Sequence, residues 1–233
     1  MDAWRWVRRL AEELREEFGE RLLFVGLQGS RLRGEERPDS DIDVMTVLDT
    51  LSAADLERVR LRIRRMPEAE KACGFICGRE ELRGWPAHES FAVAKGTAPV
   101  YGTLKGLLPP CTRQDIAAGV LIGASGLYHA VGHLCLYGGP DRAEMLYEQY
   151  KFAFFLLQSL YFLRTGTYIA TRKELLPLLE GEERRILETG MAWERSAPER
   201  QREPSAYFDL LLQWSGRLLA EGIEGIPEEG GAA

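Results

Sequence analysis

Two aspartates with a single residue between them, Asp41 and Asp43, stand at the start of an apolar run. Side chains two residues apart on a strand point to the same face, about 7 Å apart along the backbone. Like charges held this way repel each other, so a cation is expected between them. Carboxylate oxygens are hard ligands that suit Mg²⁺ together with substrate phosphates. The spacing therefore predicts a Mg²⁺ site.

The apolar run before these aspartates ends in Gly29 and Ser30. A glycine lets a ligand approach the backbone, and a helical turn after it would present free N–H groups to a phosphate. The Ser30 hydroxyl adds a donor, and Arg31, Arg33 and Arg37 are candidates to neutralise phosphate oxygens. With Mg²⁺, such a site would hold a nucleoside triphosphate for in-line attack by an acceptor oxygen.

The elements that must position these residues follow from the periodicity of the apolar side chains. A helix is predicted to about residue 18, and strands over residues 22–27 and 41–48. Ser52 is the expected N-cap of an amphipathic helix that runs to about residue 66. The segment SFAVAKG, residues 90–96, is predicted as a further strand. This mixture predicts an α+β domain with a small mixed sheet.

The character of the chain changes at Pro109 and Pro110, which break any regular element. Every later segment has helical period or helical composition, and the predicted helices cover residues 113–136, 141–164, 172–190 and 205–221. We therefore predict a first domain over residues 1–108, an all-helical bundle domain over residues 109–224 and a flexible tail over residues 225–233.

The bulk properties exclude some classes of function. The 233 residues are 45% hydrophobic with a net charge of −6, which argues against a general nucleic-acid-binding surface. The amphipathic N-terminus is not a signal peptide, and the apolar run over residues 150–163 is too short to span a bilayer. The four cysteines lack zinc-site spacing and are expected to be buried, reduced thiols. We expect a cytoplasmic protein with no membrane partner, and a homodimer stays open.

The pattern Gly-Ser, ten residues, Asp-Ile-Asp resembles the signature of the DNA polymerase β type nucleotidyltransferase superfamily. Within it, GSRLRGEERPDSDIDV is similar to the minimal nucleotidyltransferases and the aminoglycoside nucleotidyltransferases. The combination, with a strand on each side, is more specific than either motif alone. The resemblance implies a nucleotide site that includes Gly29, Ser30, Arg33 and Ser40, with Mg²⁺ as cofactor and ATP or another nucleoside triphosphate as co-substrate.

The same family usually has a third carboxylate on a later strand, which shares the metal or acts as general base. Here the apolar run KACGFICG contains no acid; Glu80 and Glu81 follow it, and Glu89 comes later. We place the third catalytic acid at Glu80. For each of these glutamates the alternative is a solvated loop acid.

Aminoglycoside nucleotidyltransferases also have a helical domain that supplies basic contacts to the triphosphate. Lys151, in YEQYKFAFFLLQ, and Arg172, in GTYIATRKELL, are similar in placement to such contacts. The resemblance implies that both side chains reach the phosphates. The alternatives are a lysine that extends from a buried helix to solvent and a solvated surface arginine.

The resemblance implies a Mg²⁺-dependent enzyme that moves a nucleoside monophosphate, AMP from ATP in the first instance, to a hydroxyl acceptor. An acidic protein suits a cationic small acceptor such as an aminoglycoside, and a protein hydroxyl is a variant of the same reaction. The competing hypothesis is a nucleotide-binding regulatory or antitoxin-like protein with weak or no chemistry. Its supporting feature is the absence of an acid within the KACGFICG run.

Overall fold

A computed structural model describes residues 2–193, 197 and 204–223 of the chain. The chain divides into two compact units, Met1–Pro110 and Cys111–Ala233, and each is described here by itself. The first unit combines a mixed sheet with helices and the second is helical, so the predicted α+β class with a helical C-terminal region is confirmed. The predicted tail over residues 225–233 lies outside the described residues.

The first unit alternates helices and strands along the chain. Its elements are α1 (Ala3–Phe18), β1 (Leu22–Leu27), α2 (Gly29–Arg33), β2 (Ile42–Leu48), α3 (Ala53–Ile63), β3 (Ala72–Gly78), α4 (Arg79–Arg83), α5 (Ala87–Gly96) and β4 (Ala98–Gly102). Predicted strands 22–27 and 41–48 therefore form as β1 and β2, the second one residue shorter at its start.

The four strands form one sheet in the order β3-β2-β1-β4. Strand β1 is antiparallel to both β2 and β4, whereas β2 and β3 are parallel. The β2–β3 register sets Asp43 beside Cys73 and Leu48 beside Gly78. The first residues of β2 and β3 therefore lie at the same edge of the sheet, next to the end of β1.

Helix α1 packs on one face of this sheet because its apolar residues recur at helical spacing. Trp6, Leu10 and Leu14 are buried in one core cluster with Ile42 and Val44 of β2. The other face packs a second cluster, in which Met45 and Val47 meet Leu82 of α4. The alternation of side chains along β2 thus gives each face its own core, and Asp43 belongs to the face of Met45 and Val47.

The segment SFAVAKG was predicted as a strand, and this prediction is wrong. Its residues form most of helix α5, which starts after Pro86 and buries Ser90 and Phe91. Alanine-rich composition favours a helix when no neighbouring strand is there to pair with. The strand that the prediction missed is β4, which follows the helix; its Pro99 is tolerated because β4 is an edge strand.

The second unit consists of helices in the part of the chain that the structure describes. They are α6 (Arg113–Tyr137), α7 (Arg142–Thr165), α8 (Arg172–Leu175), α9 (Gly181–Met191) and α10 (Pro204–Glu221). Thr112 and Asp115 form a capping box at the start of α6, and Gly166 ends α7 with a left-handed backbone. Helix α6 packs against both α7 and α10.

One predicted helix, over residues 172–190, is interrupted in the structure. It forms the short α8, a 3₁₀ turn at Leu176–Leu178, and then α9 from Gly181. Pro177 in the turn cannot donate a backbone hydrogen bond and clashes with a continuing helix, and Gly181 has a positive φ of 55°. The apolar periodicity continued through this break, which is why the sequence suggested one element.

By length and composition alone, α6 is the one described helix that could cross a membrane. The share of its most apolar window that is buried within the structure is 28%. The core helix of a soluble protein passes the same test of length and composition, so the expectation that no membrane partner exists stays a prediction.

Candidate active site

The end of β1 is joined directly to the start of β2 beside helix α2. The backbone N–H of Gln28 donates to the carbonyl oxygen of Asp43 at 2.8 Å. Gln28 is the N-cap residue of α2, and Gly29 follows it with a φ of 73°. Helix α2 therefore begins next to the first residues of β2.

The carboxylate of Asp43 lies against Gly29. A Cβ built on Gly29 would overlap Oδ2 of Asp43, so this position has no room for a side chain. Glycine also accepts the left-handed backbone that the position requires. Asp43 is half-buried, and Asp41, two residues earlier, is exposed. The structure thus places the Asp43 carboxylate at the Gly29-Ser30 turn, and the carboxylate of Asp41 at the same site stays a prediction.

The two serines of the predicted nucleotide site have different environments. Ser30 lies half-buried in α2, where its carbonyl oxygen accepts from the N–H of Glu35 at 2.9 Å. The Ser40 hydroxyl accepts from the backbone N–H of Arg37 at 2.8 Å, and the Ser40 N–H donates back to the Arg37 carbonyl at 3.1 Å. Ser40 therefore closes the turn that leads into β2.

The arginines proposed as phosphate ligands are engaged within the protein. Arg33 forms an ion pair with Glu35, Nε to Oε2, at 3.1 Å. Arg31 donates from Nε and Nη2 to the carbonyl oxygen of Ser40 and from Nε to that of Asp41. Arg37 is exposed. Arg31 thus has a backbone-binding role that the sequence did not indicate.

Strand β3 supplies no acid to this site. The residue in register with Asp43 is Cys73, and in-register neighbours on parallel strands point to the same face about 4.8 Å apart. The next residue, Gly74, has a φ of 138°, and a Cβ there would overlap the backbone of Val44. Cys73 is exposed, which corrects the expectation that the cysteines are buried.

The structure does not bring Glu80 to the two aspartates, so the placement of the third catalytic acid at Glu80 is wrong. Asp43 is in register with Cys73 near the start of β3, whereas Leu48 is in register with Gly78 at its end. The distance along the strand from Cys73 to Gly78 is roughly 17 Å at about 3.3 Å per residue. Glu80 follows Gly78 in α4, where its carboxylate pairs with Arg83 at 3.1 Å. The sequence suggested it because the direction and register of β3 are not readable locally.

The other two glutamates are also accounted for. The Glu81 carboxylate lies beside Gly78 at the same far end of β3. Burial, with the charge of Glu81, raises the pKa of the Cys77 thiol to about 11. Glu89 is on α5, where its carboxylate accepts from the indole N–H of Trp85 at 2.6 Å.

Two polar residues near the site were not anticipated from the sequence. The Gln28 side-chain amide donates to the Thr97 hydroxyl at 2.6 Å, which ties the end of β1 to the residue before β4. Thr97 is buried, so this bond is shielded from solvent. No signal in the sequence pointed to Thr97, because β4 itself was not predicted.

A divalent cation fits the residues present. Asp41 and Asp43 offer hard carboxylate oxygens on one face, and the glycine beside Asp43 keeps the space around that carboxylate open to the helix N-terminus. No third His, Cys, Asp or Glu completes a protein-only metal cluster in the described part of the chain. A cation here would share its coordination with ligand phosphates, which is typical of Mg²⁺.

The two predicted phosphate ligands of the helical unit have different contacts within that unit. The Arg172 guanidinium lies over the ring of Phe154, 4.2 Å from its centroid, and Lys151 is one helical turn before Phe154 on α7. The buried Gln158 amide donates to the carbonyls of Ile169 and Ala170 at 2.7 and 3.0 Å and so fixes the segment that leads to Arg172. Lys151 forms an exposed ion pair with Glu148 at 2.9 Å.

The comparison with protein families agrees with this geometry. Residues 7–88 match the family described as the nucleotidyltransferase domain. This segment of the chain is a nucleotidyltransferase domain. It contains all but the first four residues of α1, the β1–α2–β2 unit with both aspartates, and β3, so the predicted resemblance is confirmed for this part of the chain. No curated protein matches the chain.

Solved structures extend the likeness beyond this domain. The crystal structure of the spectinomycin adenyltransferase AAD(9) from Enterococcus faecialis with ATP and spectinomycin is 15% identical, with a TM-score of 0.59. The match covers 93% of this chain and 99% of that chain, so the likeness in fold includes the helical unit. A toxin-antitoxin structure with AMP-PNP is 19% identical over 43% of this chain and 77% of that chain, and its TM-score of 0.32 is too low to inform the fold.

Proposed function

We propose that this protein transfers a nucleoside monophosphate, AMP from ATP, to a hydroxyl group of a cationic small molecule of the aminoglycoside type. The observation that carries the proposal is the packing of the Asp43 carboxylate against Gly29 at the start of α2, with Asp41 beside it. Carboxylate oxygens that could hold a metal would then lie beside a turn that could bind phosphate, as a metal–triphosphate complex requires.

In this proposal, the acceptor hydroxyl oxygen forms a new bond to the α-phosphorus of the nucleotide. The bond from that phosphorus to the oxygen bridging the β-phosphate breaks, and pyrophosphate leaves with its electron pair. The hydroxyl proton passes to water, because β3 offers no carboxylate beside Asp43. The products are a nucleotide ester and pyrophosphate.

Each part of the site has a proposed role in this reaction. Asp41 and Asp43 would hold Mg²⁺, which when bound neutralises charge on the phosphates. Ser30 and the backbone of Gly29 would orient the triphosphate, with Arg33 and the turn closed by Ser40 beside them. Catalysis of this kind is mostly positioning and electrostatics, so few reactive side chains are needed.

Lys151 and Arg172 of the helical unit are proposed to contact the phosphates. Support comes from the buried Gln158 bonds that hold the segment before Arg172 and from the packing of the Arg172 guanidinium on Phe154. The acceptor class is supported by the fold shared with a protein solved with ATP and spectinomycin, and by the net charge of −6. A small cationic acceptor is favoured over a polyanionic one on charge alone.

A second candidate function is supported by one observation at β3. Cys73 takes the position beside Asp43, and Gly74 has no room for a side chain, so no general base is built into this strand. A nucleotide-binding regulatory protein with weak or no transfer would need only the Gly29-Ser30 turn and the aspartates. The two candidates share binding and differ in turnover.

The deciding experiment is pyrophosphate release from each of the four nucleoside triphosphates with Mg²⁺. The acceptors tested would be aminoglycosides, spectinomycin, proteins and tRNA. Nucleotide binding would be measured in parallel by calorimetry. Release that requires one acceptor class supports the transferase and names its substrate. Tight Mg²⁺-dependent binding with no release from any acceptor supports the regulatory protein. Absence of nucleotide binding would contradict both.

A further inference from the structure

The loop between α2 and β2, residues 34–41, carries Asp41 into the site. Carbonyl oxygens of Pro38, Ser40 and Asp41 accept hydrogen bonds from cationic side chains that lie outside the loop. Loop carbonyls are ordinarily satisfied by water or by local turns. The 34–41 loop is instead held at three points by charged groups.

Arg31 makes the larger set of these contacts. Its Nη2 donates to the Ser40 carbonyl oxygen at 2.6 Å, and its Nε donates to the carbonyls of Ser40 and Asp41 at 3.2 and 2.9 Å. The planar guanidinium fork suits two adjacent acceptors, and hydrogen bonds to a charged donor are stronger than neutral ones. Arg31 therefore fixes the backbone at Asp41 itself.

Lys71 holds the other side of the loop. Its Nζ donates to the Pro38 carbonyl at 3.3 Å and pairs with the Glu68 carboxylate at 2.6 Å. Glu68 thus fixes the position of the lysine that contacts the loop. The hydrogen bond from Lys71, together with the charges of Lys71 and Arg31, lowers the pKa of Glu68.

The backbone at Glu68 is itself unusual. Its φ of 51° is the only positive φ at a non-glycine residue in the described part of the chain. A left-handed backbone at a residue with a Cβ is unfavourable and persists where surrounding contacts determine it. The turn at Glu68 brings Lys71 to the loop directly before β3 begins.

We propose that Arg31 is a positioning residue for Asp41, with the Glu68–Lys71 ion pair as a second support of the same loop. The inference rests on the proposed function, because it assigns to Asp41 the metal that this function requires. It also replaces the expectation that Arg31 contacts phosphate. Supports behind a metal ligand typically change metal affinity or activity about 10- to 100-fold when removed.

The test measures metal binding and does not depend on turnover. Mn²⁺ would stand in for Mg²⁺, and its affinity in the presence of ATP would be followed by electron paramagnetic resonance for wild type, Arg31→Ala and Arg31→Lys. ATP affinity without metal would be measured by calorimetry. Hydrogen exchange at residues 38–41 would report whether the loop is released. Arg60→Ala is the matched control, because Arg60 pairs with Glu57 on an exposed part of α3.

Arg31→Ala is expected to weaken Mn²⁺ binding about tenfold or more, with partial recovery in Arg31→Lys and metal-free ATP affinity unchanged. Exchange at residues 38–41 should become faster, and Arg60→Ala should match wild type. If Arg31→Ala does not fold, Lys71→Met removes the Pro38 contact and the Glu68 ion pair, leaves the Arg31 contacts in place, and should weaken Mn²⁺ binding by a smaller factor.

Equal Mn²⁺ affinity in wild type and the folded variants would overturn the positioning role and leave the proposed function intact. A loss of metal-free ATP affinity in Arg31→Ala would also overturn it, since that result assigns Arg31 to the phosphates. Wild type that binds ATP but no Mn²⁺ would contradict the proposed function itself. The three outcomes are therefore distinguishable.

Discussion

The Asp43 carboxylate packs against the Cα of Gly29, at the point where β1 gives way to helix α2. A second contact joins the same two segments. The backbone N–H of Gln28, the residue before Gly29, donates to the carbonyl oxygen of Asp43 at 2.8 Å. The Asp43 carboxylate and the start of α2 are thus held to each other by one side-chain contact and one backbone hydrogen bond.

Gly29→Ala should abolish transfer. The added Cβ would displace the Asp43 carboxylate, and a misplacement of about 1 Å in such a site can reduce the rate about 100-fold. Gly19→Ala is the matched control, because Gly19 also has a positive φ but no atom within 4 Å of an added Cβ. Backbone strain alone should lower the stability of both variants by about 1 kcal/mol. Equal activity in both variants would contradict the role of the Asp43–Gly29 contact.

Asp43→Asn and Asp41→Asn should each reduce Mg²⁺-dependent pyrophosphate release by at least about 100-fold, because a bound metal contributes several kcal/mol. The melting temperature should not fall, since each change removes one member of a like-charged pair. Asp39→Asn is the control, because Asp39 is exposed in the same loop. If either variant at Asp41 or Asp43 kept full activity, the proposed metal site would be wrong.

The parts of this site that the sequence predicted are the local ones. Gly29, Ser30, Asp41 and Asp43 lie within or next to one β1–α2–β2 unit, and residue type with spacing was enough to predict that Asp43 lies at Gly29. Long-range arrangement was not readable. Cys73 stands beside Asp43 only through the parallel register of β2 and β3, which no segment of sequence encodes by itself.

Two further features could not be read from the sequence for the same reason. Arg31 has the charge of a phosphate ligand, and only the path of the 34–41 loop shows that backbone carbonyls occupy its guanidinium. The segment SFAVAKG has the apolar character of a strand, yet it forms helix α5 because the place beside β1 is taken by β4. In both places, contacts between segments that are separate in sequence determined the structure more than local propensity did.

Lys151→Met and Arg172→Met should each raise the KM for ATP about tenfold, because a hydrogen bond to a charged group contributes about 1.5–3 kcal/mol. The kcat should change less, since ground-state binding of the triphosphate is lost. Lys173→Met is the matched control, because Lys173 is exposed next to Arg172. If the KM for ATP in all three variants equalled that of the wild type, Lys151 and Arg172 would not contact the phosphates.

The stability of the first unit should decline in acid through Asp55. Hydrogen bonds from Arg21 at 2.9 and 3.1 Å, and then from Ser52, hold the pKa of this carboxyl well below its ordinary value of 3.8. A depressed pKa in the folded state stabilises the protein above the ordinary value, and the stabilisation is lost as the pH falls below it.

Urea unfolding of wild type and Asp55→Asn between pH 7 and pH 3 tests this. The variant should be less stable at pH 7, and the difference should shrink as the pH falls below about 4. Glu57→Gln, which removes an exposed ion pair with Arg60 on the same helix, should show little change. A constant difference across the pH range would show that Asp55 stabilises the fold by means other than its charge.

Cys73→Asp should increase transfer. The residue beside Asp43 would then be a carboxylate, able to share the metal or to accept the proton of the attacking hydroxyl, and general base catalysis contributes about 100- to 10,000-fold in favourable cases. We expect at least about a tenfold rise in the rate of pyrophosphate release. Cys73→Ser is the control, because it keeps the size of the side chain without the charge. A higher rate of pyrophosphate release in Cys73→Asp but not in Cys73→Ser would show that the missing acid limits turnover in the natural protein. Unchanged or lower rates, with nucleotide binding retained, would show that proton removal is not limiting.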